Sequence, residues 1–171
     1  MSTDPGHQSL QDLHARVARL EDAEVARGLQ HEYAALLDAP VPEQVAALWT
    51  EDGVLSVPSG DFVGRAGVTE FYRSRTEADP SEKRHFVMSP RVRHLGPGRV
   101  ELAAYFVFTA RADARSVLGW GLYLDVVRVT DGVARFEHKT ITPHLATDLT
   151  TGWPAPDPRP SSQSEPPTGQ L

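Results

Sequence analysis

The sequence predicts an α+β fold in which three to four N-terminal helices close one side of a curved antiparallel or mixed sheet, together forming a cone. Three observations predict it. Helical periodicity fills the first third of the chain, at three- and four-residue spacing. Residues 84–144 then alternate apolar and polar side chains in long runs separated by brief turn signals, as a sheet meander does. Helices before strands, rather than strands interleaved with helices, point to α+β and away from a doubly wound sheet.

Taken in order, residues 1–8 are polar and expected to fray. Ser9 with Asp12 fits a capping box, and Leu10, Leu13, Val17 and Leu20 make a narrow apolar stripe on the helix that follows. The stripe is read as a helix lying on its own domain; two heptads leave a dimer seam as the other possibility. A second helix is expected over 22–37, with Val25, Leu29, Tyr33 and Leu36 on one face, and it ends at Asp38 because Pro40 and Pro42 follow. Pro42 suits the first turn of a short helix over 43–49, and Thr50 to Gly53 reads as a turn. Residues 54–58 and 62–64 form a small hairpin, 65–75 a further helix, and the meander turns at Gly96-Pro97-Gly98, near Asp113, and at Asp131-Gly132. After Thr150 the prolines accumulate, so the organisation is an N-terminal tail over 1–8, one domain over 9–149 and a proline-rich disordered tail over 150–171.

Composition narrows the function. A formal charge of −6, with Lys and Arg scattered along the chain, offers no basic field for a nucleic-acid backbone. No apolar run reaches the length of a membrane span and the N-terminus lacks a leader pattern, so a cytoplasmic protein is expected. With no cysteine there is no thiolate nucleophile and no sulfur-based zinc site, and no His-Glu-x-x-His occurs. Gly96-Pro97-Gly98 lies between strands rather than before a helix, unlike a phosphate-binding loop. Cofactor-free and metal-free acid/base chemistry is what remains.

The meander carries titratable and aromatic groups on a face that would otherwise be polar, the mixture a small-molecule cavity needs. His85 shares one face with Val87 and Ser89, and imidazole exchanges protons near neutral pH. Counting by alternation puts His138 with Phe136, Thr140 and Thr142, among groups able to hydrogen-bond a ligand. Tyr33 could orient a substrate carbonyl, and Trp49, Phe71, Tyr72, Tyr105, Phe106 and Trp120 could line the cavity; ordinary core is the competing reading for each. Asp38, at a helix C-terminus, would be a useful base if burial raised its pKa. His94 and His144 are assigned no role.

The ordered segments Tyr33-Ala34-Ala35-Leu36-Leu37-Asp38, Val45 to Gly53, Gly64-Arg65-Ala66-Gly67 and Arg84-His85-Phe86-Val87, with Tyr123-Leu124-Asp125 and Asp131-Gly132, resemble the SnoaL-like family. That family lies in the fold superfamily of ketosteroid isomerase, scytalone dehydratase and nuclear transport factor two. The resemblance implies that Asp38 and His85 hold the positions of a catalytic carboxylate and histidine, and that the chain forms a homodimer through the outer face of its sheet. One departure stands out: the scytalone dehydratase pattern has a second histidine on the next strand, where this chain has Tyr105-Phe106, so His138 is considered as its substitute. The expectation is a dehydratase, isomerase or cyclase acting on a hydrophobic cyclic or polyketide-like carbonyl compound, with Asp38 as base and His85 as proton donor. A non-catalytic small-molecule-binding domain and an accessory β subunit of a ring-hydroxylating dioxygenase are the alternatives.

Overall fold

The computed structural model describes residues 5–112 and 115–153, and they form an α+β cone: one long helix and two short ones over a curved, unclosed six-stranded sheet. Helix α1 (Pro5–Leu37) is continuous, where two helices were expected, and begins before Ser9. The junction near Asp22 contains neither proline nor glycine, so nothing interrupts the amide ladder there. Its two halves differ in role. From Ala23 onward the helix buries Ala26, Leu29 and Tyr33 in the core, whereas the stripe of Leu10, Leu13, Val17 and Leu20 is exposed, from 41% at Val17 to 70% at Leu20. The stripe therefore does not lie on its own domain.

Pro40 and Pro42 end α1 as expected, and α2 (Pro42–Ala46) follows. Strand β1 (Trp49–Val57) then starts earlier than its sequence suggests. Residues 50–53 are strand rather than turn, with an irregularity between Trp49 and Val54 where β1 runs parallel to β6. Gly53 fits there because a Cβ would stand 2.7 Å from the Phe136 carbonyl oxygen. β2 (Gly60–Val63) pairs with β1, and Gly64, at φ +69, turns the chain into α3 (Gly64–Ala78).

The meander follows: β3 (Glu82–Gly96), β4 (Arg99–Ala112), β5 (Arg115–Thr130) and β6 (Val133–Asp148). Sheet order is β2-β1-β6-β5-β4-β3, antiparallel except for β1 against β6. The turn at Asp131-Gly132 is a two-residue hairpin with both residues at positive φ, as an Asp-Gly pair favours. The turn near Asp113 and the tail beyond Trp153 lie outside the described residues. The core sits between the inner sheet face and the helices, with Trp49, Leu55, Val68, Val100, Leu102, Val127 and Phe136 fully buried. No described helix is long and apolar enough to cross a membrane.

Two β-bulges in β6 decide which side chains face inward. Val127 pairs with Phe136 and Val126 with His138, so Glu137 is an extra residue; Trp120 pairs with Leu145 and Gly121 with Pro143, so His144 is another. Each inserted residue reverses the alternation beyond it.

Candidate active site

The end of α1 and the start of β3 bring Asp38 and His85 together. Asp38 Oδ1 accepts the His85 backbone N–H at 2.8 Å and lies 3.2 Å from His85 Nδ1. A carboxylate oxygen only accepts, so Nδ1 carries the proton and donates it to Asp38. That leaves Nε2 with its lone pair free. Burial, the largest influence, pulls the imidazole below its ordinary value of 6.5, while the hydrogen bond and charge of Asp38 hold it up and Lys83 adds a smaller downward push. Near neutral pH the ring is therefore the free base.

Asp38 has 29% of its side chain exposed, and its Oδ1 is committed to the histidine. His85 Nε2, by contrast, has a basic lone pair to offer. Arg84 Nε stands 4.0 Å from Asp38 Oδ2, adding a cation beside the carboxylate.

His85 opens onto a cavity of about 420 Å³ inside the cone, lined by Phe71, Tyr72, Phe106, Phe108, Tyr123 and Ile141 among others. Phe108 stacks on the imidazole at a centroid distance of 6.3 Å. Gly119 and Gly121 make room for the floor. A Cβ on Gly121 would lie 2.5 Å from Phe106 Cζ and collide with the Thr142 carbonyl oxygen.

Tyr33 and Phe71 border this cavity, as their candidacy requires. Tyr33 is fully buried, its hydroxyl 2.6 Å from that of Tyr72, and its ring packs edge-on against Trp49, Tyr123 and Phe136. Desolvation keeps both tyrosine hydroxyls well above their ordinary range, so they are neutral donors.

Four expected lining residues lie elsewhere. Trp49 is core, donating from Nε1 to the Val54 carbonyl at 3.3 Å, and does not border the cavity. Tyr105 and Trp120 are on the outer sheet face, because Phe106 and Gly121, their neighbours in the alternation, point inward. Trp120 meets Trp153 there at a centroid distance of 4.7 Å. His138 is on the outer face too, since the bulge at Glu137 sends Phe136 and Lys139 inward instead, and its Nε2 lies 2.8 Å from Ser56 Oγ. Ser56 in turn donates to Asp61 at 2.7 Å, which places serine between acid and histidine rather than histidine between serine and acid. That order is not a nucleophile's relay.

The sequence reading named Tyr72 and Phe106 as candidate wall aromatics, and both border the cavity; it passed over Tyr123, Phe108 and Ile141 and assigned His144 no role, yet His144 stands at the cavity wall. It also missed a charged pair beneath the tyrosines. Lys139 and Asp125, directly opposed on β6 and β5, are both fully buried, with Nζ 3.0 Å from each carboxylate oxygen. Among the described residues no group of three or more His, Asp or Glu side chains could hold a metal ion.

A model of the SnoaL-like domain matches residues 18–140 of the chain. Among solved structures, a candidate scytalone dehydratase from Novosphingobium aromaticivorans DSM 12444 superposes with a TM-score of 0.71 at 18% identity, covering 88% of this chain and 99% of that one. The hexachlorocyclohexane dehydrochlorinase LinA-type3 from Novosphingobium barchaimii LL02 gives 0.64 at 17% identity, over 87% of this chain and 99% of that one. A candidate aromatic ring hydroxylase from Novosphingobium aromaticivorans DSM gives 0.67 at 23% identity, over 77% and 96%. No curated protein sequence matches the chain. The matched domain spans both Asp38 and His85 and most of the cone around them, and the chain belongs to the SnoaL-like domain family.

Proposed function

We propose that the protein is a cofactor-independent acid/base enzyme that abstracts a proton next to the carbonyl of a hydrophobic cyclic compound held in the cone. The observation that carries this reading is the double anchoring of His85 on Asp38 Oδ1, at 2.8 and 3.2 Å, which fixes the ring and its tautomer. Nε2 takes the proton, and the C–H electron pair moves into the enolate. A tyrosine hydroxyl at the cavity wall, that of Tyr72, is a neutral donor suited to the enolate oxygen. From the enolate, loss of a β-hydroxyl that receives the proton back from His85 gives dehydration. Return of the proton to a different carbon gives isomerisation, and attack on a second carbonyl gives cyclisation. The dehydratase and dehydrochlorinase likenesses support an elimination of this kind.

The test is α-proton exchange of 2-tetralone in D₂O followed by ¹H NMR. The native protein is expected to accelerate exchange, His85→Ala to reduce it to the buffer rate, and Asp38→Asn to slow it by about 10²–10⁴-fold. Exchange by His85→Ala at the native rate sinks the assignment.

The likeness to an aromatic ring hydroxylase favours a second reading, an accessory subunit of such an enzyme. It requires an obligate second chain in gently purified protein. Under either reading a homodimer would close over the outer sheet face, where Phe86, Met88, Tyr105 and Leu124 are 40–50% exposed. Sedimentation of a Tyr105→Glu, Leu124→Glu variant should then give a monomer.

A further inference from the structure

A second concavity of about 420 Å³ lies on the other side of the dyad, between the end of α1, the C-terminal half of α3 and the start of β3. It shares Leu37, Tyr72 and His85 with the cone cavity, so the two compartments meet at the base. Its walls are largely apolar, with Leu37, Ala39, Pro40, Ala78 and Pro80 among them, but Arg75 also borders it.

The charges around this groove are not equivalent. Asp79 is held down at about 2 by the Ser81 hydroxyl and the Lys83 ammonium, and Lys83 is spent on it at 2.9 Å. Glu82 is paired with Arg84 and Arg111. Asp38 is committed to His85, with Arg84 beside it. Arg75 alone among the groove's charges has no carboxylate within 4.0 Å among the described residues. Its guanidinium sits 5.3 Å above the ring of Phe71, a residue that lines the cone cavity. Arg75 is itself exposed, and its contact with that ring leaves its N–H donors available to a carboxylate.

We propose that this groove is the second half of the substrate site and takes a carboxylate-bearing arm of the substrate, with Arg75 as its partner. The proposal rests on the reading of the cone as the place where the ring is held. The substrate class is accordingly a cyclic or aromatic compound carrying a short acidic chain, threaded past His85 so that the reactive carbon lies at the junction. Arg75 sets specificity and plays no part in proton transfer. A solvated arginine that merely complements the C-terminal dipole of α3 would have no such preference for acids.

The probes are 4-phenylbutyrate and its uncharged counterpart 4-phenylbutyramide, titrated by calorimetry at low and moderate salt, with the Ile141 methyl signals followed by NMR as a marker of the cone. The acid is expected to bind about tenfold tighter than the amide. Arg75→Gln should abolish that preference without changing amide affinity, and Arg75→Lys should restore part of it. Equal binding of acid and amide to the native protein, or a preference for acid that survives Arg75→Gln, overturns the groove assignment while leaving the cone reading intact. If neither probe moves Ile141, the cone reading falls and the proposal falls with it.

Discussion

Replacing Lys139 by Met should cost about 3–5 kcal/mol, because it leaves Asp125 as an uncompensated buried charge. The structure sets the terms of this estimate. Lys139 Nζ is 3.0 Å from both Asp125 oxygens and lies 3.9 Å from the Tyr123 ring centre, 4.2 Å from that of Tyr33 and 4.6 Å from that of Phe136. Gln30 Nε2 donates to Asp125 Oδ2 at 2.7 Å, while Gln30 Oε1 has no partner among the described residues. Burial is the largest influence on both charges, pushing Asp125 up and Lys139 down, and their mutual attraction offsets only part of it. The pair is thus costly to break and of little net benefit to have. Urea unfolding followed by circular dichroism measures this directly, and the melting temperature should drop by about 6–20 °C in a domain of this size. Two further results are expected. The deficit of Lys139→Met should shrink as pH falls toward 5, since a carboxyl whose folded pKa is raised binds a proton more tightly when folded and gains stability on acidification. The triple variant Gln30→Leu, Asp125→Leu, Lys139→Met, which leaves no unpaired polar group, should come within about 2 kcal/mol of the native protein. A triple variant destabilised by as much as Lys139→Met, or a pH-independent deficit, would refute the reasoning.

Three other expectations follow from the same geometry. Tyr72→Phe and Tyr33→Phe each take the hydrogen-bond partner from a buried tyrosine hydroxyl, and each should cost about 1–3 kcal/mol in urea unfolding. Gly121→Ala drives a methyl group into the Thr142 carbonyl and the Phe106 ring; a loss of about 1–3 kcal/mol is expected, with slower 2-tetralone exchange as the floor shifts. His85 has a folded pKa below 6.5, so the unfolded chain takes up its proton first on acidification. Its contribution to stability should therefore fall as pH drops below 6.5, an effect absent in His85→Gln, and the acid limb of the exchange rate should lie below 6.5.

The helices-then-meander order and the proline stop after Asp38 were readable because each rests on a local rule: periodicity, a missing amide or an Asp-Gly hairpin. The dyad was reachable only through resemblance, since 47 residues separate Asp38 from His85 and nothing local announces their contact. What failed was parity. Alternation counted along β6 assigns His138 to the face of Phe136, and one extra residue at Glu137 reverses it. His144, assigned no role because it lies near the end of the meander, is the residue inserted at the second bulge and stands at the cavity wall. Bulges are set by the partner strand's register, which a single strand's text does not contain. Lys139 was hidden for a related reason: a lysine reads as solvent-facing until its inward partner, Asp125, is known.

The balance at His85 explains why a base can work inside an apolar cone. Desolvation makes an imidazole a weaker base, and carried far enough it would leave Nε2 with too little affinity for the proton it must accept. Asp38 opposes this through both its hydrogen bond and its charge. It stands at the rim, with its other oxygen toward Arg84, so it supports the ring without itself entering the apolar space. Asparagine at this position would keep an oxygen within reach of Nδ1 but would carry no charge. Asp38→Asn should consequently move the acid limb of exchange to lower pH while lowering the plateau, because the ring becomes a weaker base as well as a less firmly oriented one. A lower plateau with an unmoved limb would mean that Asp38 acts on orientation alone.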